Sequence, residues 1–210
     1  VACLERSDMK HYIDITLLPS DDIGIHFLWS KVMMQVHLAL VEIQDDNKQV
    51  PVATSFPEYR EYMNKKPGFL GQKLRLMALD ESDLIRLDIN RWLHRLSDYV
   101  HVRGIALVPE TDSYESFSRE NTKGSLEKHI RRRMKRHEET YEQALSNYGG
   151  YEQDDVKSRV PFIKLKSLAS GNEFCLNIDK KRVAVNTDEL PTHQRFNTYG
   201  LNRTAILPKF

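Results

Sequence analysis

Between Met9 and Pro109 the apolar positions alternate between a period of two and a period near 3.6, and few folds accept that order. From Met9 to Leu18, Ile13, Ile15 and Leu17 alternate with Tyr12, Asp14 and Thr16, the pattern of a strand with one buried face. Pro19-Ser20-Asp21-Asp22 then reads as a helix start, with Ser20 as cap and two carboxylates to complement the first-turn dipole. Leu28, Val32, Val36, Leu40 and Ile43 recur at steps of four and three, which predicts a helix with a buried stripe as far as Ile43. A polar loop over 44–49 leads to a short strand over 50–56, whose Pro51 suits a strand start or edge. Residues 70–79 read as a further strand, with Leu74 and Leu76 alternating against Lys73 and Arg75. A second helix is expected over 82–99, capped within 80–83 and turning Leu84, Leu87, Trp92 and Leu96 inward, and a fourth strand over 100–109. Strand, helix, strand, strand, helix, strand is the split β-α-β order of a ferredoxin-like (RRM-like) domain. Its sheet face is a common RNA-binding platform, though a fold alone assigns no function.

The second half is less regular. A polar stretch over 110–125 precedes a basic helix over 126–137, a loop with Tyr and Gly follows near 148–151, and strand-like runs occupy 160–165 and 174–178. The expected class is therefore α+β: a ferredoxin-like domain over 9–109 followed by an irregular α+β C-terminal domain over 110–210 that carries an arginine-rich helix. Residues 1–8, ahead of Met9, read as an extension outside the fold. With 40% apolar and 29% charged residues the chain is globular rather than disordered. Its longest apolar runs are four residues, against roughly 20 for a membrane-spanning helix. Cys3 and Cys175 cannot build a disulfide framework and are expected as reduced thiols in a cytoplasm. The motifs CxxC, HExxH, GxxxxGK and GxGxxG are missing, so neither a metal nor a nucleotide cofactor is expected.

The 31 Lys and Arg nearly balance 30 Asp and Glu, but the distribution is uneven. Between Leu126 and His137 stand six cations and a single anion, Glu127. At about 100° per residue, Lys128, Arg131, Arg132, Lys135 and Arg136 share one side, while Leu126, Ile130, Met134 and Tyr141 share the other. One side is expected to dock on a protein core and the other to follow a phosphate backbone. A solvated helix face normally mixes signs, and a membrane-surface helix needs a broader apolar side.

Of eight histidines, His37 stands at the margin of the first helix's buried stripe, where packing can hold an imidazole at a cleft. A metal-free ribonuclease needs a base active near neutral pH to take a ribose 2′-hydroxyl proton, and imidazole meets that need. Spacing alone does not choose among the histidines.

Four stretches resemble the repeat-cleaving endoribonucleases of type I-F CRISPR systems. Met9-Lys-His-Tyr-Ile-Asp-Ile15 resembles that family's opening strand, and Gln35-Val-His-Leu-Ala-Leu-Val41 the helix bearing its catalytic histidine. Phe117-Ser-Arg-Glu-Asn121 followed by Arg131-Arg-Arg-Met-Lys-Arg-His137 is similar to its base-reading linker and arginine-rich helix. Lys166-Ser-Leu-Ala-Ser-Gly171, Phe174 and Tyr199-Gly-Leu201 are similar to its remaining active-site segments. Order and spacing agree from Met9 to Phe210.

The resemblance implies cleavage of precursor CRISPR RNA at the 3′ base of a repeat hairpin, without metal, leaving a 2′,3′-cyclic phosphate and a 5′-hydroxyl. His37 would be the base, Ser167 would position the 2′-hydroxyl, and Tyr199 would orient the imidazole. Arg131, Arg132, Lys135 and Arg136 would enter the major groove of the short stem, and Lys128 on the same side would also bind RNA. Arg119 would read guanine and Asn121 adenine, and Phe174 would stack on the terminal base pair. Asn121 stands where the family pattern has Gln, and Ala169 where it has a second Ser. By residue type alone, Arg119 and Asn121 also suit a polar loop, Phe174 a core strand and Ser167 a turn. The implied partners are the repeat hairpin, retained as mature crRNA, and the other subunits of a type I-F surveillance (Cascade) complex in antiviral defence, with no membrane. The alternative is a noncatalytic cap on the hairpin of a guide-RNA complex, which would share the basic residues and differ at His37, Ser167 and Tyr199.

Overall fold

A computed structural model describes residues 9–18, 20–63, 66, 68–120, 126–149, 160–168, 170–184 and 193–210. The chain is α+β, with two antiparallel sheets joined along one seam. The first sheet contains β1 (His11–Leu17), β2 (Ala53–Ser55), β3 (Lys73–Ala78) and β4 (Val100–Val102) in the order β2-β3-β1-β4, with β5 (Ala106–Leu107) also on β1. The second contains β6 (Tyr114–Glu120), β7 (Phe162–Lys166), β8 (Glu173–Val183) and β9 (Leu207–Pro208) in the order β7-β8-β6-β9. Five helices accompany them among the described residues: α1 (Ile25–Glu42), α2 (Glu81–Leu87), α3 (Ile89–Leu93), α4 (Leu126–His137) and α5 (Tyr141–Ser146).

Alternation places Ile13, Ile15 and Leu17 in the core with Leu74 and Leu76 of β3, and the α1 stripe Leu28, Val32, Val36 and Leu40 closes over them. The core continues through Phe117, Ile163, Leu165, Leu176 and Ile178 of the second sheet. The opposite face of β1 is also covered at its centre. Asp14 faces Arg75 across the ladder, and the pair is buried with Arg75 Nε donating to Asp14 Oδ1 at 2.7 Å. The Arg75 guanidinium also lies 3.8 Å from the Phe210 ring centroid and donates to the Phe210 carbonyl at 3.0 Å. Strict alternation predicted an exposed Asp14; a bidentate guanidinium partner is what makes its burial tolerable.

Several boundaries differ from expectation. α1 starts at Ile25 behind Gly24, with no side-chain cap, because Ser20 bridges back to Ile23 in a turn of its own. The helix expected over 82–99 breaks at Asp88, whose φ of 43° is left-handed, into α2, α3 and a 3-10 turn over His94–Leu96. The expected polar stretch over 110–125 contains β6: its Tyr114, Phe117 and even Glu115, Ser116 and Ser118 are buried between β8 and β9. The same pairing extends β8 to Val183, beyond the expected 178. Tyr141 does not continue the α4 stripe; it opens α5 behind a Thr140–Gln143 capping box and is 49% exposed. The α4 helix itself has the expected bounds, but it packs on α5 through Ile130 rather than on the main core. Asn121, Ala169, Cys3 and the extension 1–8 lie outside the described residues.

Candidate active site

His37 lies on α1 one residue past the buried Val36, so its ring is half-buried at the edge of the core. Its Nδ1 is 2.7 Å from the Thr198 carbonyl oxygen. A carbonyl only accepts, so Nδ1 carries the proton and donates, and in the neutral ring the lone pair is left on Nε2. Tyr199 stacks on the same ring, with centroids 4.2 Å apart and planes 10° from parallel. One face of the imidazole and one of its nitrogens are thereby fixed, and the second nitrogen is configured as a proton acceptor.

The segment that does this is built from the seam between the sheets. Val50 pairs with Phe196, the Thr54 amide of β2 donates to the Gly200 carbonyl at 2.8 Å, and the Asn202 amide donates to Phe117 of β6 at 3.0 Å. The Thr54 hydroxyl donates to the Tyr199 carbonyl at 2.8 Å. Asn197 Oδ1 accepts from the Tyr199 amide at 2.8 Å and the Leu201 amide at 3.2 Å, an Asx-type cap that closes the turn. Gly200 has φ of 72°, and a Cβ there would stand 2.6 Å from Thr54 Cγ2 and 2.7 Å from its amide nitrogen. Only glycine lets the turn lie against β2. Asn197, Thr54 and Gly200 were not singled out from the sequence; an Asn three residues before a Gly beside the Tyr-Gly-Leu run was the signal available.

Burial raises the Tyr199 phenol above its ordinary pKa, against the opposing pull of the Arg119 cation, so the phenol stays neutral. Arg119, exposed near the end of β6, lies with its guanidinium 5.5 Å from the Phe174 ring centroid on β8. Two pairs result: His37 stacked on Tyr199, and Arg119 over Phe174. Ser167 stands in the tight β7–β8 turn, where its amide donates to Asn172 and its carbonyl accepts from Gly171, both at 2.8 Å. Its Oγ accepts from the Ser170 amide at 3.3 Å, and no acceptor among the described residues takes its hydroxyl proton. Among the described residues, Ser167 and His37 share no hydrogen bond.

Lys128, Arg131, Arg132, Lys135 and Arg136 are all exposed on α4. Arg131 leans on Glu127 at 2.8 Å in a solvent-exposed pair that costs little to separate. Arg133, off the cationic side, instead clamps Glu139 at 2.7 and 2.9 Å and ties α4 to the start of α5. No helix among the described residues is long and apolar enough to cross a membrane.

Fold and site together define an α+β protein with a tethered, half-buried histidine and an exposed cationic helix. Comparison with known proteins narrows this. A sequence model of the family described as CRISPR-associated protein (Cas_Csy4) matches residues 12–210. The CRISPR-associated endonuclease Cas6/Csy4 of Pseudomonas aeruginosa (strain UCBPP-PA14) is 31% identical over 205 residues, covering 96% of this chain and all of that protein. The protein of the same name from Escherichia coli (strain UTI89 / UPEC) is 28% identical over 202 residues, again 96% of this chain and all of the relative. The chain belongs to the Cas_Csy4 family of CRISPR-associated proteins. It is an endonuclease of that family.

Proposed function

We propose that this endonuclease binds the hairpin of CRISPR repeat RNA and cuts at the 3′ base of the stem without a metal, by attack of the 2′-hydroxyl on the adjacent phosphate. The bond formed joins the 2′-oxygen to phosphorus and the bond broken frees the 5′-oxygen of the next nucleotide, which takes a proton from water, giving a 2′,3′-cyclic phosphate and a 5′-hydroxyl. The observation that carries the reading is the His37 tether. Nδ1 donates to Thr198 and the ring stacks on Tyr199, so Nε2 is the nitrogen that takes the 2′-hydroxyl proton. Tyr199 is a positioning residue acting through His37. Ser167, with its hydroxyl proton uncommitted, holds the attacking oxygen in line.

Phe174 with Arg119 beside it forms the platform on which the lowest base pair of the stem sits, and Arg119 reads guanine there. Asn121 reads the neighbouring adenine. The α4 cations enter the major groove of a stem short enough to be open at its end. In this reading residues 9–109 are a ferredoxin-like domain and 110–210 an RNA-binding domain, supported by the strand order β2-β3-β1-β4 and by the exposed cations on α4. The centre of the first sheet's outer face is covered by Phe210, so RNA is bound at the seam and on α4 rather than across that sheet. The product stays bound, and the protein works in the cytoplasm as a subunit of a type I-F surveillance complex.

End-group analysis tests this. Purified protein and repeat RNA incubated in chelator should yield one cut with a 2′,3′-cyclic phosphate on the hairpin fragment. A 3′-hydroxyl product, or activity that returns only with added divalent cation, contradicts the reading.

A further inference from the structure

We propose that the groove between α1 and the edge strand β7 receives the single-stranded RNA on the 3′ side of the cut, so that the enzyme holds the leaving strand as well as the hairpin. The proposal rests on the hairpin-cleavage reading above. The groove encloses about 680 Å³. Phe27, Lys31 and Met34 of α1 form one wall, and Phe162, Lys164 and Lys166 of β7 form the other.

Three properties select the occupant. First, β7 ends its sheet, and its side chains alternate so that Ile163 and Leu165 enter the core while Phe162, Lys164 and Lys166 face outward. An aromatic ring followed by two cations at alternate positions is thus presented along one edge. Second, Phe27 is 56% and Phe162 39% exposed, and Lys31 Nζ lies 5.0 Å from the Phe27 ring centroid. Open aromatic faces beside ammonium groups suit bases that stack and phosphates that pair, whatever the base sequence. Three lysines face one carboxylate, Glu173, so the groove favours a polyanion.

Third, both walls run into the candidate catalytic residues. Met34 lies about one helical turn before His37, and Lys166 immediately precedes Ser167. Glu173 at the rim precedes Phe174, the platform for the stem. A strand leaving the scissile phosphate away from the stem therefore meets this groove. Its walls are about 12–13 Å long, from His26 to Met34 on the helix and Phe162 to Lys166 on the strand, which accommodates a short run of nucleotides.

The test uses repeat hairpins carrying a 2′-deoxy nucleotide before the cut, which blocks cleavage, either ending at the cut site or extended 3′ by a short oligouridine. The wild-type protein should bind the extended RNA about thirtyfold more tightly, with a log–log salt slope steeper by about 2 for three phosphate contacts. Lys31→Glu with Lys164→Glu should bind both RNAs equally, at the wild-type affinity for the unextended hairpin, a match that also certifies the fold. Phe162→Ala, which leaves the charge unchanged, should lower the preference about fivefold. A wild type that binds the two RNAs equally, or a charge-reversed variant that keeps the full preference, overturns this inference while hairpin recognition stands. A wild type that binds neither RNA overturns the hairpin reading beneath it.

Discussion

A carbonyl cannot donate, and that single fact decides which nitrogen of His37 is free to accept a proton: Nδ1 donates to the Thr198 carbonyl at 2.7 Å, so in the proposed reaction the base is Nε2. Tyr199 meets the imidazole with its ring rather than its hydroxyl, because the contact is a face-to-face stack, and in the proposed reaction it orients His37 through that ring. Tyr199→Phe should therefore cut within about threefold of the wild-type rate, whereas Tyr199→Ala should lose about tenfold, the worth of an aromatic pair. Single-turnover cleavage at saturating protein separates the two, and an equal loss in both variants would assign the effect to the phenol. His37 was legible from its place beside the helix stripe only as one candidate among several. Its tether was not, because Thr198 is distant in sequence and contributes a backbone oxygen that carries no side-chain signature.

At the scale of elements, the turn at 197–201 and the helix α4 behave in opposite ways. The turn exists because Asn197 caps it, Thr54 receives it and Gly200 alone fits against β2. Gly200→Ala should cost about 1–3 kcal/mol of stability, since both its φ and its space exclude a Cβ. It should also lower the cleavage rate constant under conditions where the protein remains folded, by moving the Thr198 carbonyl. Thermal denaturation and single-turnover rates measure the two effects, and an unchanged Tm would remove the packing argument. The exposed cations Arg132 and Lys135 of α4, by contrast, are legible in sequence and make no ion pair among the described residues. Arg132→Glu with Lys135→Glu should leave Tm within a few degrees, weaken hairpin binding and flatten its salt dependence. An unchanged salt slope would mean that this side of α4 faces away from the RNA. The first two strands, α1 and α4 were readable because periodicity and charge are local properties of the chain. The Asp88 break and β6 were not, because a left-handed residue and a strand with buried Glu115, Ser116 and Ser118 obey pairing partners elsewhere in the chain.

For the whole molecule, the seam is what makes one enzyme from two sheets. Val50–Phe196, Thr54–Gly200 and Asn202–Phe117 join them, and the segment that stitches them also holds the His37 ring. The last residue contributes as well, since Phe210 covers Arg75 and Tyr12 on the first sheet. Near that junction, burial pushes the Glu115 carboxyl above its ordinary value of 4.5, although Lys180, Lys209, Arg75 and a hydrogen bond from Ser55 pull it down. A carboxyl raised on folding adds stability below its unfolded pKa and loses that contribution as pH climbs through the folded value. Glu115→Gln should therefore gain on the wild type as pH rises from about 4 to about 7, read as the difference between the two Tm values at each pH. A constant difference would show that Glu115 does not titrate differently on folding. None of this junction was visible in sequence, where Glu115 and Arg75 lie in separate halves and look like surface charges.

The measurement that bears most directly on the whole account is a paired cleavage and binding experiment on His37→Ala. In chelator, wild type should cut repeat RNA at one site, while the variant should lose about 10²- to 10⁴-fold in rate and hold the uncut hairpin as tightly as wild type. A variant that still cuts at the wild-type rate, or one that loses hairpin binding in step with cleavage, would contradict the assignment of His37 as the base.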